Sequence, residues 1–279
     1  MPALSPFTPP PLAALDALAA PLRAYFDPRF VGLEEVDASR PALYVGNHTI
    51  YGVIDVPLLG VELYRRGVYV RGLGDRLHFE VPLWRDFLGR LGVVEGSRAI
   101  CDALMAAGEP VMVFPGGGRE VCRRRGEVHS LIWKDRIGFA RQAIAHGYPI
   151  VPFAQVGVDF AYDVVVDADD VRRSPLGALL RRVGVWEGLL RRGEALPPLA
   201  RGLGPTLVPR PERLYFAVGR AIEVDHLRGR ADEAAAAWEL RRSVAGAIEG
   251  LVAGLEAARA AERERWPAWR RALCGAGRA

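Results

Sequence analysis

The feature that most limits the possible folds of this 279-residue chain is a regular alternation of short apolar runs with longer amphipathic stretches. The apolar runs predict strands, and the stretches between them, with apolar residues at helical spacing, predict helices. Strands are predicted at 42–45, 68–73, 110–114, 150–155 and 214–224, and helices at 56–66, 83–91, 97–107 and 137–146. This order predicts an α/β fold, a single domain with a mainly parallel central sheet covered by helices.

Two amphipathic helical segments flank this domain, which we place at residues 40–230. In residues 1–39, leucines recur at helical spacing and Pro21 interrupts them, which predicts two short helices or a kinked one. Residues 231–279 are alanine-rich and heptad-like, which predicts a packing helix and a tail. Within the domain, residues 175–205 carry LLRR twice. This segment is predicted either to lie in a membrane interface or to cover the sheet as a surface helix pair.

Composition narrows the functional classes. A spanning helix is not expected, because no uncharged apolar run reaches about eighteen residues, and the start of the chain lacks the pattern of a secretory signal. The three cysteines have no nearby Cys or His partner, which favours a reducing compartment and predicts no metal site. The net charge is +4 and Lys134 is the only lysine. Arginines suit phosphate groups and anionic lipid, but no nucleic-acid-binding module is recognised.

The first candidate motif is VGNHTIYGVID, in which His48 follows a predicted strand and Asp55 comes seven residues later. Histidine takes up protons near neutral pH, and a carboxylate behind it fixes its tautomer. Pro57 fits a helix only in the first turn, so a helix should begin near Asp55 and the intervening loop can bring Asp55 to face His48. Asn47 is placed to hold the turn through the backbone. The alternative for Asp55 is simple helix capping.

The second candidate motif is FPGGGRE, which also follows a predicted strand. Gly116, Gly117 and Gly118 leave backbone N–H groups unshielded, as an oxyanion- or phosphate-binding nest requires. Arg119 adds a positive charge that can donate two parallel hydrogen bonds. The alternative is a tight strand–helix turn with a salt bridge from Arg119 to Glu120 or Glu127. The run Arg123–Arg125 is either a solvated face or a contact for a phosphorylated cofactor. Since ligands bind beyond the carboxyl ends of strands, the two motifs predict one shared site.

Four stretches resemble the blocks of the lysophospholipid/glycerolipid acyltransferase superfamily, in order and spacing. They are VGNHTIYGVID, the stretch from Gly72 to Arg98, VFPGGGREVCRRRGE and PIVPFAQVG. In that family a histidine deprotonates an acceptor hydroxyl, which attacks the thioester of an acyl-CoA or acyl carrier protein. The resemblance therefore implies His48 as the base, Asp55 as its partner, and a substrate-binding role for the third block, where Arg119 matches an arginine. Pro152 matches the proline of the fourth block.

Two departures from the usual blocks place the chain nearest to the neutral-lipid branch of that superfamily. The usual aspartate position holds Val53, and Gly116 stands where FPEGTRS has its glutamate, with Glu120 four residues later. PGGxxE is the form of diacylglycerol acyltransferases and phytyl ester synthase-like enzymes. The resemblance implies an acyl-CoA-dependent O-acyltransferase that acts on mono- or diacylglycerol or a long-chain alcohol. The alternatives are a lysophosphatidate or lysophospholipid acyltransferase, a lipid ester or thioester hydrolase, and an idle membrane-binding module.

The candidate site therefore consists of His48 and Asp55 for catalysis and of Asn47, Gly116, Gly117, Gly118, Arg119 and Glu120 for substrate binding. The expected partners are an acyl-CoA or acyl carrier protein as co-substrate, a lipid alcohol and a membrane surface, with no cofactor of the protein's own. The expected location is cytoplasmic, peripherally associated with the inner face of the membrane. No GxSxG elbow is present, which argues against a hydrolase.

Overall fold

Strands and helices alternate along residues 6–275, the part of the chain that the computed structural model describes. The strands are β1 (Arg29–Val31), β2 (Leu43–Gly46), β3 (Arg71–Gly74), β4 (Val94–Glu95), β5 (Val111–Val113), β6 (Ile150–Val156), β7 (Asp163–Val166), β8 (Leu199–Arg201) and β9 (Tyr215–Val218). The helices are α1 (Leu12–Phe26), α2 (Asp55–Arg65), α3 (Pro82–Arg90), α4 (Arg98–Ala106), α5 (Gly118–Val121), α6 (Gly138–His146), α7 (Ala168–Arg173), α8 (Pro175–Arg182), α9 (Ala234–Arg263) and α10 (Ala268–Gly275).

Seven strands form the central sheet in the order β1-β9-β6-β2-β5-β3-β4. All neighbours pair in parallel except β6 and β9, which are antiparallel. The expected mainly parallel, helix-covered sheet is thus confirmed. β7 and β8 pair separately in a small antiparallel ribbon.

The core lies on both faces of the sheet, and β2 shows why. Every residue of this strand is buried, as expected of a central parallel strand. Leu43 and Val45 pack on one face with residues of α4, α6 and α9. Tyr44 packs on the other face with residues of α1 and α2. Alternating side chains therefore fix β2 between two helical layers, and its carboxyl end opens at the sheet edge.

The flanking segments differ in how well the sequence predicts them. α1 is one helix that contains Pro21, rather than two, and its apolar face packs on α2. The C-terminal helix α9 buries its apolar face against the sheet, as the packing-helix interpretation expects. No helix in the described part of the chain is long and apolar enough to cross a membrane.

The segment 175–205 is not the surface helix pair that one interpretation of the sequence expects. Only its first LLRR repeat is helical, in α8, and the chain then turns repeatedly from Val183 to Leu190. Gly184 (φ 73°), Arg191 (φ 48°) and Arg192 (φ 58°) adopt left-handed backbone conformations, which end any continuous helix. Trp186 is buried and lies against Gly193, so it packs the two ends of these turns together.

Candidate functional site

The two motifs meet at the carboxyl ends of two adjacent strands. β2 and β5 pair in parallel, with Val45 opposite Val113. Directly beyond them the ring of His48 stacks on that of Phe114, with ring centroids 4.0 Å apart and planes 15° apart. The loop after His48 also binds the second motif, because the Tyr51 N–H donates to the Val121 carbonyl at 3.1 Å. The predicted side-by-side placement of the two motifs is therefore found.

The two ring nitrogens of His48 differ in burial. Its Nδ1 atom is fully buried and has no hydrogen-bond partner among the described residues, whereas Nε2 is not buried to that degree. Gly52 has a φ of 60°, and a Cβ there would lie 2.2 Å from Cε1 of His48. The loop thus needs glycine at position 52 for two reasons: the positive φ, and the close approach of its backbone to the His48 ring. Burial, then the charge of Arg123 and the neighbouring His78, lower the pKa of His48 to about 3.

Asp55 lies where the sequence predicts, at the first residue of α2, but it does not hydrogen-bond His48. Its Oδ2 accepts from the Thr49 hydroxyl at 2.5 Å, and its Oδ1 accepts from the Val56 N–H at 3.0 Å. The fully buried carboxyl has a pKa raised to about 6 by burial, against the opposing effect of these hydrogen bonds. The direct Asp55–His48 contact expected from the sequence is not found, because the two carboxylate oxygens are bonded to the Thr49 hydroxyl and to the first turn of α2.

Gly116 and Glu120 form one unit. A Cβ on Gly116 would lie 2.0 Å from the carboxyl carbon of Glu120, so the carboxylate fills the space of a side chain at position 116. Glu120 is fully buried, and its carboxylate accepts from the N–H of His48 at 3.0 Å and of Ile132 at 2.8 Å. Burial is the main cause of its raised pKa. Glu120 therefore joins the two motifs by its carboxylate.

The glycine turn offers donors beside His48. Gly117 has a φ of 50°, and α5 begins at Gly118. Within the described residues, the N–H groups of Gly116, Gly118 and Arg119 donate to no protein acceptor. Arg136 holds the turn from the outside, since its Nη1 donates to the carbonyls of Pro115 at 2.7 Å and Gly116 at 2.6 Å. The turn can thus present backbone donors to an oxyanion.

Arg119 is bonded inside the protein. Both of its Nη atoms donate to the carboxylate of Glu127, one of them at 2.8 Å, and the side chain is buried. This is one of the salt bridges that the sequence analysis leaves open. By pairing with Glu127, its guanidinium joins the two ends of the loop from 118 to 127. Its role in substrate binding stays a prediction.

The run Arg123–Arg125 forms ion pairs with acidic residues, and only Arg125 among the three is exposed. Arg124 pairs with Asp169 at 3.0 Å, and Arg125 pairs with Asp170 and lies 3.7 Å from Asp167. Arg123 is buried, with its Nε 3.3 Å from a carboxylate oxygen of Asp159, and it also donates to the His48 carbonyl.

Asp159 and Gln155 are site-forming residues that the sequence reasoning missed. The carboxylate of Asp159 accepts from the Ile50 N–H at 2.7 Å in addition to its contact with Arg123. Asn47 and Gln155 exchange three hydrogen bonds of 2.9 Å each between the end of β2 and β6. Asn47 therefore holds its turn through the neighbouring strand. A polar Gln155 within an otherwise apolar strand is the signal that could have identified it, whereas Asp159 lies just beyond the end of that strand.

A cleft of about 680 Å³ reaches the ring that stacks on His48, although His48 itself does not line it. Its walls are the ends of β3 and β5 and the first turns of α4 and α6, and Phe114, which stacks on His48, is part of its lining. The charged residues of the lining are Asp75, Arg98, Asp135, Arg136 and Arg141. In the described part of the chain, no group of three or more His, Cys, Asp or Glu side chains is placed to hold a metal ion.

Comparisons with known proteins identify relatives of this chain. The chain is similar to phytyl ester synthase 2, chloroplastic, from Arabidopsis thaliana, with 30% identity over 79% of this chain and 33% of the relative. It is 28% identical to diacylglycerol O-acyltransferase 2 from Dictyostelium discoideum over 60% of this chain and 50% of the relative. The chain thus spans a third to a half of the length of these relatives.

The fold is similar to the crystal structure of the 1-acyl-sn-glycerophosphate (LPA) acyltransferase, PlsC, from Thermotoga maritima. The TM-score is 0.51 at 14% identity, over 87% of this chain and 80% of that one. The matched family model, Acyltransferase, covers residues 27–156, from β1 to the end of β6, and so includes both motifs of the site. Together with the relatives, this match shows that the chain belongs to the acyltransferase family.

Proposed function

We propose that this protein transfers a fatty acyl group from an acyl-CoA to an uncharged lipid alcohol, with His48 as the general base. The observation that carries the proposal is the position of His48, beside the cleft and next to a turn of unpaired backbone N–H groups. A lowered pKa keeps its imidazole neutral at physiological pH, and the less buried Nε2 is the nitrogen available to a substrate.

The proposed reaction needs no nucleophile from the protein. The alcohol oxygen attacks the thioester carbonyl while His48 takes the hydroxyl proton. The N–H groups of the glycine turn stabilise the oxyanion that forms. The carbon–sulfur bond then breaks, and the proton passes from the imidazolium to the leaving thiolate. The products are an ester and free coenzyme A, so atoms and charges balance.

Two observations favour an uncharged acceptor. The matching arginine of the third block, Arg119, is bonded to Glu127, so its charge is already neutralised. The relatives named above include a phytyl ester synthase and a diacylglycerol O-acyltransferase. We therefore place diacylglycerol, monoacylglycerol and long-chain alcohols ahead of lysophosphatidate.

We also propose peripheral contact with the cytoplasmic face of a membrane, where such acceptors reside. α8 turns its leucines outward: Leu176 is 55% exposed and Leu179 is 56% exposed, with Arg181 and Arg182 at its end. α3 likewise exposes Leu83, Trp84 and Phe87. Exposed apolar side chains flanked by arginines suit an anionic lipid interface. The buried, unpaired cysteines suit a reducing compartment.

The test is an acceptor panel with labelled acyl-CoA and purified protein. We expect ester formation with diacylglycerol or a long-chain alcohol, and little release of fatty acid without an acceptor. A preference for lysophosphatidate would show that the assignment of an uncharged acceptor is wrong. Acyl release that is independent of any alcohol would indicate a hydrolase instead.

A further inference from the structure

Three arginines of the cleft lie in or just before two helices outside the glycine turn. Arg98 is the first residue of α4, Arg136 lies just before α6, and Arg141 lies near the start of α6. All three line the cleft. The arginines after the glycine turn, in contrast, are bonded to aspartates.

The guanidinium groups of Arg98 and Arg141 have no hydrogen-bond or ion-pair partner within residues 6–275. The Nε of Arg141 is buried without an acceptor. A buried donor without an acceptor costs stability, which a bound anion would offset. Arg136 uses Nη1 for the glycine turn and keeps its other nitrogens for a further contact.

Helix stability does not explain these positions. Arg98 occupies the N-terminal residue of α4, where the positive end of the helix dipole disfavours a cation. Ser97, which caps this helix by accepting from the Ile100 N–H at 3.2 Å, also lines the cleft, as does the start of α6. Both helix ends therefore add to the positive potential of the arginines.

The acidic residues of the cleft do not cancel this charge. Asp75 is already paired with Arg191, at 2.7 and 3.2 Å. Asp135 is the remaining carboxylate in the lining, against three arginines. The cleft thus keeps an excess of positive charge beside apolar walls that include Leu73, Val113 and Phe139.

We propose that Arg98, Arg136 and Arg141 bind the phosphate groups of the thioester donor, while the apolar wall holds its uncharged chain. This inference rests on the proposed function for the identity of the donor. Guanidinium groups bind phosphate through paired, charge-assisted hydrogen bonds. Phe114 lines the cleft and stacks on His48, so a donor held here would lie against the ring that contacts the base.

The experiment measures binding of free coenzyme A, without acyl group or acceptor, by titration calorimetry. Arg98→Gln and Arg141→Gln should each raise the dissociation constant about tenfold, since each removes charge-assisted hydrogen bonds. Arg141→Lys should recover part of the loss, because lysine keeps the charge without the planar fork. The affinity of the wild type should also fall with salt.

Two controls separate binding from folding and from net charge. Arg66→Gln removes the same charge from the end of α2, outside the cleft lining, and should leave the dissociation constant unchanged. The melting temperature of Arg98→Gln should equal or exceed that of the wild type, because the change removes a cation from a helix N-terminus.

The outcomes distinguish this inference from the proposed function. Unchanged coenzyme A binding in Arg98→Gln and Arg141→Gln would overturn the inference even if acyl transfer is observed. Weakened binding in both would support it even if no acceptor in the panel is used. If instead both variants raise only the Michaelis constant for lysophosphatidate, the arginines bind a phosphorylated acceptor and the donor assignment is wrong.

Discussion

At the scale of single residues, the glycine turn depends on the absence of a side chain at position 116. Gly116→Ala would place a methyl group within 2.0 to 2.5 Å of three atoms of the Glu120 carboxylate and its neighbour. Glu120 would have to move and give up its bonds to His48 and Ile132. We expect a loss of about 1–3 kcal/mol in the free energy of unfolding, together with most of the activity.

A matched change in the same turn provides the control for stability. A Cβ on Gly118 would have no neighbour nearer than 3.9 Å, and this residue has no left-handed backbone strain. Gly118→Ala should therefore unfold at nearly the wild-type denaturant concentration. Equal destabilisation by both changes would show that Glu120 does not pack as described.

The buried carboxyl of Asp55 predicts a pH dependence of stability. Its pKa rises from 3.8 to about 6 on folding, so between these values the folded protein holds a proton that the unfolded chain has lost. The stabilisation from that proton is complete below pH 3.8 and is lost as the pH rises through about 6. Relative to the wild type, Asp55→Asn should therefore gain up to about 3 kcal/mol between pH 4 and pH 8.

Chemical denaturation of both proteins across this pH range checks the expectation. A stability difference that stays constant with pH would mean that Asp55 titrates in the folded protein as it does in the unfolded chain. In activity, Asp55→Asn should cost less than loss of His48, because the two side chains share no hydrogen bond.

At the scale of secondary-structure elements, α8 provides the clearest test of membrane contact. Leu176→Ser with Leu179→Ser removes two exposed apolar side chains and leaves the arginines in place. Since burial of one such leucine contributes about 1.5–3 kcal/mol, vesicle binding should fall at least about tenfold. Co-sedimentation with anionic vesicles measures this, and wild-type binding should weaken with salt.

Val31→Ser serves as the control, because Val31 is as exposed (56%) as the two leucines of α8. It lies outside that helix, on the edge strand β1. It should leave vesicle binding unchanged. If the α8 variant binds vesicles as well as the control does, α8 is not a membrane contact.

The elements that sequence predicts well are those whose own pattern decides their structure. The central strands and the helices α2, α4 and α6 agree with the predictions to within a few residues, because their apolar periodicity matches their burial; α3 also forms where predicted, although none of its residues is buried. The two-residue strand β4 and the turns after α8 are different. Their conformation depends on a partner strand and on the buried Trp186, neither of which leaves a local signal.

At the scale of the whole molecule, the site is assembled from parts that lie far apart in the sequence. The turn with His48 is fixed by Glu120 from the second motif, and by Gln155 and Asp159 at and beyond the end of β6. Sequence alone predicts that the two turns share a site, because strand ends meet at one sheet edge. It does not predict which buried carboxylate bonds which backbone N–H, since that depends on sub-ångström packing between separate segments.

The central claim is that His48 is the base for acyl transfer to a lipid alcohol. The most direct measurement is kcat/KM for ester formation from labelled acyl-CoA and diacylglycerol or a long-chain alcohol, in the wild type and in His48→Ala. We expect the variant to lose about 10²–10⁴-fold, the usual contribution of general-base catalysis, while its circular dichroism and melting temperature stay close to those of the wild type. A folded variant that retains more than about a tenth of the wild-type rate, far above that range, would contradict the account.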